Sequence, residues 1–160
     1  MKVQGASTNP AQSLKLFQLN NCRERYLLAE EVQRLRTALD ECPYEQMRGI
    51  VPLLLMLGCR KRELLEARWE HMDLERRTWH IPMSKSGRAR NVPLSSLAIE
   101  VFRTLPRWEG CAYVVPNPAT LRPWGNLHYH WDAVRKKAGL EGVRIHDLRH
   151  SFASSLVNSG

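Results

Sequence analysis

A chain of 160 residues is long enough to bury one continuous core without disulfides or a structural metal, and too short for two full domains. Its longest apolar stretch, Ile50 to Leu57, falls well short of the roughly 18 uninterrupted apolar residues that a membrane span requires. Twenty-four Lys and Arg against sixteen Asp and Glu leave a net charge of +8, which favours a polyanionic partner, nucleic acid before an anionic membrane surface.

Cys22, Cys42, Cys59 and Cys111 are far apart and form no C-x-x-C pair, so neither a zinc ribbon nor a dithiol redox site is written in the chain, and idle thiols are expected. Met1 is followed by polar sequence without an apolar signal core, which gives the expectation of a cytoplasmic protein. Residues 1–25 are rich in Asn, Gln and Ser and read as a linker or docking arm.

From Leu28 the spacing Leu28, Val32, Leu35, Leu39 predicts an amphipathic helix that Pro43 ends. A second helix, from about Tyr44, is apolar on every face through Leu57 and belongs at the centre of the core. Pro52 predicts a kink or restart within it, because proline lacks the donor N–H and crowds the preceding turn. Gly58 breaks the run, and Arg60 to Arg68 resumes as a charged helix.

Trp79 and Ile81, then Val92 and Leu94, alternate with polar neighbours about a Ser86-Gly87 turn, predicting a β-hairpin with a basic loop from Ser84 to Arg90. Ser95 is positioned to cap a helix with Leu97, Val101 and Leu105 inward, closed by Pro106. Tyr113 to Val115 read as a short strand. Asn126 to Ala138 read as a helix that Gly139 stops, with Leu127, Trp131 and Val134 inward. A last helix opens at about His146. The fold class is therefore α+β, mostly helical with a small antiparallel sheet.

Several residues along this order bear chemistry. Arg60 stands at the break between a buried and a charged helix, with Glu63 three residues on, so the carboxylate is spaced to hold the guanidinium for a phosphate or simply to form a surface ion pair. Lys85 lies on the basic loop with Arg88 and Arg90 and reads either as a phosphate-reaching side chain or as solvated surface; no Walker A motif accompanies it. His146 and Arg149 share one side of a helix start, beside free backbone N–H groups that suit a phosphate. A metal at His146 and His150, joined by His128 and His130, is the competing chemistry, but no H-E-x-x-H glutamate or acidic cluster supports it.

Taken in order, Leu57-Gly58-Cys59-Arg60-Lys61-Arg62-Glu63-Leu64-Leu65, then Trp79-His80-Ile81-Pro82 to Lys85-Ser86-Gly87 and Val92-Pro93-Leu94-Ser95, then His146-Asp147-Leu148-Arg149-His150-Ser151-Phe152-Ala153, resemble the tyrosine site-specific recombinases of the phage-integrase family. The resemblance implies an integrase-like catalytic domain over 26–160 and a phosphoryl transfer without metal or other cofactor. A tyrosine attacks a DNA phosphodiester, leaving a 3′-phosphotyrosine and a free 5′-hydroxyl.

By that resemblance Arg60 and Arg149 bind the non-bridging oxygens, Lys85 protonates the leaving oxygen and His146 assists. Glu63 and His150 support them, and Arg62, Arg88 and Arg90 contact DNA. The family's nucleophilic tyrosine lies downstream of the H-x-x-R helix, whereas Tyr26, Tyr44, Tyr113 and Tyr129 all precede it, so the resemblance implies a catalytic domain incomplete at its C-terminus and inactive alone in strand cleavage. The implied partners are double-stranded DNA and other recombinase protomers in a synaptic complex, in a bacterial or phage-derived setting at the nucleoid, with no membrane. A non-catalytic DNA-binding or regulatory remnant of an integrase is the alternative.

Overall fold

The computed structural model describes residues 25–82 and 87–157; the arm at 1–24, Cys22 and the hairpin tip with Lys85 lie outside the described residues. Six helices and a three-stranded antiparallel sheet follow one another as α1 (Ala29–Asp40), α2 (Glu45–Leu57), α3 (Lys61–Leu65), a 3-10 turn (Trp69–His71), β1 (Met72–Asp73), β2 (Thr78–Ile81), β3 (Arg90–Pro93), α4 (Ser96–Thr104), α5 (His128–Lys137) and α6 (Asp147–Val157). No helix among the described residues is long and apolar enough to cross a membrane.

The centre is α2, as its all-round apolar sequence requires: Met47, Ile50, Val51, Leu53, Leu54 and Leu57 are all buried. Helices α1, α3, α4 and α6 pack around it. Gly49 lets α4 come close, since a Cβ there would stand 2.4 Å from Leu105 Cδ2. Helix α2 continues through Pro52 as one element, so no restart occurs there. Burial on nearly every side outweighs the roughly 3 kcal/mol by which proline disfavours a helix interior.

Further differences from the periodicity reading have simple causes. Helix α4 does start on Ser95, whose Oγ accepts a hydrogen bond from Ala98 N at 3.2 Å. Its inward stripe is Ala98, Ile99 and Phe102, however, and Leu97 is 61% exposed. Val101 and Leu105 pack only at the margin of the core. The predicted strand at Tyr113 is a single bridge to Arg68, extended by Val114 N donating to Ala67 O at 2.9 Å. A short strand that sequence reading missed, β1, pairs Met72 with Trp79.

The sheet order is β1-β2-β3, with Trp79 opposite Val92 and Ile81 opposite Arg90. Residues directly opposite on antiparallel strands share a face. Trp79, Ile81 and Val92 are buried, so Arg90 stands on the inner face of the sheet, turned toward the core side rather than toward solvent.

At the other end of the chain, α6 is tied to the start of the described residues. Leu27 N donates to Ser151 Oγ at 2.8 Å, and Ser151 Oγ donates to Asp147 O at 2.9 Å; both bonds are buried. Leu148 is fully buried. These bonds tie α6 to the segment that leads into α1.

Candidate active site

The site begins where α2 stops. Gly58 takes the left-handed conformation, φ 55°, that terminates the helix, and Cys59 and Arg60 then lead into α3 with Arg60 extended at its N-cap. Glu63 fills the third helical position and reaches back: its Oε2 accepts from Arg60 N at 2.7 Å, and its Oε1 accepts from Arg60 Nη1 at 3.0 Å. The expected Arg60–Glu63 pair therefore forms. One carboxylate satisfies an otherwise unpartnered helix-start N–H and fixes the guanidinium above it.

Helix α6 meets this junction directly. A Cβ on Gly58 would lie 2.0 Å from Phe152 Cδ1, so the glycine is the seat of the phenylalanine ring. Arg149, one turn before Phe152, is thereby carried to the same junction. Its charge, with those of Glu63 and Arg90, reaches the buried Cys59 thiol, which burial above all pushes up to about 12 and leaves inert. Arg149 Nη1 is buried and has no hydrogen-bond partner among the described residues. A buried, unpaired guanidinium N–H is costly, and a bound anion would satisfy it.

His146, immediately before α6, and His150, within its first turn, have their rings edge to face with centroids 5.2 Å apart. Burial, then the charges of His150 and Arg149, hold the His146 imidazole below its ordinary 6.5, so at neutral pH it is uncharged and presents one donor and one acceptor. Asp147 is buried and braces the helix start in the manner of Glu63. It accepts from Arg144 N at 2.8 Å and from Arg144 Nη2 at 2.9 Å, and burial, which opposes ionisation, is outweighed by these bonds, so its carboxyl titrates below the usual range. Sequence reading passed over Asp147, although its i+3 relation to Arg144 repeats the Arg60–Glu63 spacing.

Arg60 and Glu63 border an open groove of about 530 Å3 between α3 and the hairpin, with Trp79, Ile81 and Pro82 on the facing wall. The hairpin stem that leads to Lys85 therefore lines the groove that Arg60 enters. Arg62 also lines it and pairs with Glu66 at 2.7 Å on the exposed side of α3. Arg88 is exposed. Arg90 has both terminal nitrogens donating to Glu63. Among the described residues no group of His, Cys, Asp and Glu is arranged to hold a metal ion.

Burial by itself would raise the Glu63 carboxyl, but bonds from Arg90 and Arg60 overcome it and pull the group down to about 2. The unfolded chain takes up a proton near 4.5, so Glu63 contributes its full stabilisation above that pH and loses it as pH falls through about 2. Chemical denaturation between pH 6 and pH 2 should show a loss on the order of 3 kcal/mol from this group that is absent in Glu63→Gln. Identical acid profiles for the two proteins would contradict the assignment.

The chain is similar to known proteins in sequence and in fold. The integrase of Salmonella phage P22 is 32% identical over 94% of this chain and 41% of its own length. The crystal structure of XerA recombinase superposes with a TM-score of 0.69 at 25% identity, covering 85% of this chain and 50% of that one. The Tn1549 transposon integrase in complex with a circular intermediate DNA shares the fold, with a TM-score of 0.72 at 17% identity over 88% of this chain and 55% of that one. The chain spans less than half the length of the first curated relatives it matches, from 38% to 49%. Residues 25–160 match the phage integrase family throughout, and with its mostly helical fold and small antiparallel sheet the chain belongs to that family as a tyrosine-recombinase catalytic domain.

Proposed function

We propose that this chain binds duplex DNA at a scissile phosphate and supports strand cleavage and rejoining through a 3′-phosphotyrosine. The observation that carries the reading is the buried Arg149 Nη1, without a hydrogen-bond partner among the described residues, on the helix whose Phe152 is seated against Gly58, two residues before Glu63-held Arg60. In the proposed step, a tyrosine oxygen attacks phosphorus, the bond from phosphorus to the 5′ oxygen breaks, and that oxygen takes a proton from Lys85. Phosphate-bond energy is retained in the phosphotyrosine, so rejoining is the reverse reaction.

Arg60 and Arg149 donate to the non-bridging oxygens, where negative charge concentrates in the transition state; one fixed donor of this kind is worth about 2.7–4 kcal/mol. Neutral His146 donates a further hydrogen bond or relays a proton, with His150 packed against its ring. Exposed Arg62 and Arg88 meet flanking phosphates. No tyrosine follows Arg149 in the 160 residues, so the attacking tyrosine is not among them. DNA in the Tn1549 integrase complex supports duplex DNA as the partner, and further protomers would assemble on it.

Binding of a duplex oligonucleotide should be weak, largely independent of sequence and strongly salt-dependent, with log K falling by about 0.9 per phosphate contact for each decade of salt. Arg60→Ala and Arg149→Ala should each lower that slope by about one contact. A flat salt series, or slopes unchanged in both variants, would refute the phosphate site.

A further inference from the structure

We propose that Arg90 is a positioning residue for Arg60: it neutralises Glu63, so that Glu63 orients the phosphate-binding guanidinium without cancelling its charge. The inference rests on the reading of Arg60 as a phosphate ligand and deepens it. Arg90 Nη1 donates to Glu63 Oε1 and Arg90 Nη2 to Glu63 Oε2, both at 2.8 Å, in a two-pronged pair. The same two oxygens receive Arg60 Nη1 at 3.0 Å and Arg60 N at 2.7 Å. A carboxylate offers about four lone-pair sites, and here all four are used.

The consequence is electrostatic. Glu63 has a side chain only 7% exposed, so water screens it poorly, and with Arg60 as its sole partner the two charges would nearly cancel for an incoming phosphate. Two guanidiniums on one carboxylate leave a net positive charge at the junction. Arg90, at 34% side-chain exposure much like Arg60 at 36%, differs from Arg60 in that both of its terminal nitrogens are committed to Glu63. It also lies on β3, just beyond the hairpin tip that carries Lys85, so the pair ties that hairpin to α3. Lysine could supply the charge but not the two-pronged fit.

The test is a set of variants of the full chain, read by fluorescence anisotropy on a short blunt DNA duplex at fixed low salt, with folding followed by circular dichroism. Arg90→Gln should weaken binding about tenfold, comparable to Arg60→Ala, and should cost nothing further in the Arg60→Ala background. Glu63→Gln combined with Arg90→Gln removes one charge of each sign and should recover most of the affinity that Arg90→Gln loses. Arg90→Lys, which keeps the charge, should lose less than Arg90→Gln and guards against a variant that fails to fold.

An Arg90→Gln loss that persists in full without Arg60, or that Glu63→Gln fails to relieve, would make Arg90 a direct DNA contact or a structural strut and overturn the proposal. So would unchanged binding in both Arg90 variants while Arg60→Ala weakens it. If Arg60→Ala itself has no effect, the phosphate-site reading fails first and the role of Arg90 falls with it.

Discussion

On a nicked suicide duplex, the 160 residues alone are expected to form no covalent protein–DNA adduct, and a tyrosine-bearing C-terminal segment from a family relative, fused after Gly160 or supplied in trans, is expected to produce one. On the proposed mechanism the charges at the α2–α3 junction would lower the barrier to attack on phosphorus but would not attack it themselves. Adduct formation in the completed system should fall about 10²–10³-fold in Arg60→Ala and in Arg149→Ala, since each removes a fixed donor from the transition state. Denaturing gels of the trapped duplex report it directly. An adduct from the chain alone would mean that Tyr26, Tyr44, Tyr113, Tyr129 or another nucleophile attacks. A completed system that binds DNA yet stays inert would favour the regulatory reading over the enzymatic one.

Gly58→Ala is expected to be the most damaging small substitution near the site. A side chain at φ 55° is strained, and its Cβ would overlap the Phe152 ring at 2.0 Å, so either the ring or the helix must move. Left-handed strain and overpacking each cost about 1–3 kcal/mol. At roughly 2–4 °C per kcal/mol for a chain of this size, thermal unfolding should drop by about 10 °C. On the proposed reading DNA affinity should fall with it, because displacing α6 carries Arg149 away from the α2–α3 junction. In the Phe152→Ala background the overlap is gone, and Gly58→Ala should cost only the backbone strain. Equal costs in the two backgrounds would show that Phe152 is not what seats the helix.

The Glu63 acid profile and the Arg90 variant set probe the same junction from its electrostatic side. Glu63 is held down to about 2 by bonds from two arginines against the opposing effect of burial, so stability and charge balance there depend on one carboxylate. The Gly58 and Phe152 variants test whether the backbone brings the two halves of the site together. Disagreement between these experiments would separate a site that is assembled but miswired from one that is never assembled.

What could be read from sequence is whatever depends on neighbours along the chain. The apolar run of α2, the Ser95 cap, the hairpin and the i, i+3 relation of Arg60 to Glu63 are short-range patterns, and the structure contains each of them. One more was within reach. Arg90 is two residues before inward-facing Val92, and strand alternation puts both on one face, the side on which Arg90 reaches Glu63. Tertiary structure decided the rest: that α2 passes unbroken through Pro52, that α4 turns Phe102 rather than Leu97 inward, and that Gly58 and Phe152 lie in contact. Local periodicity constrains a residue's own element, whereas the approach of Phe152 to Gly58, 94 positions away, depends on how whole helices pack, and that packing carries Arg149 to the α2–α3 junction.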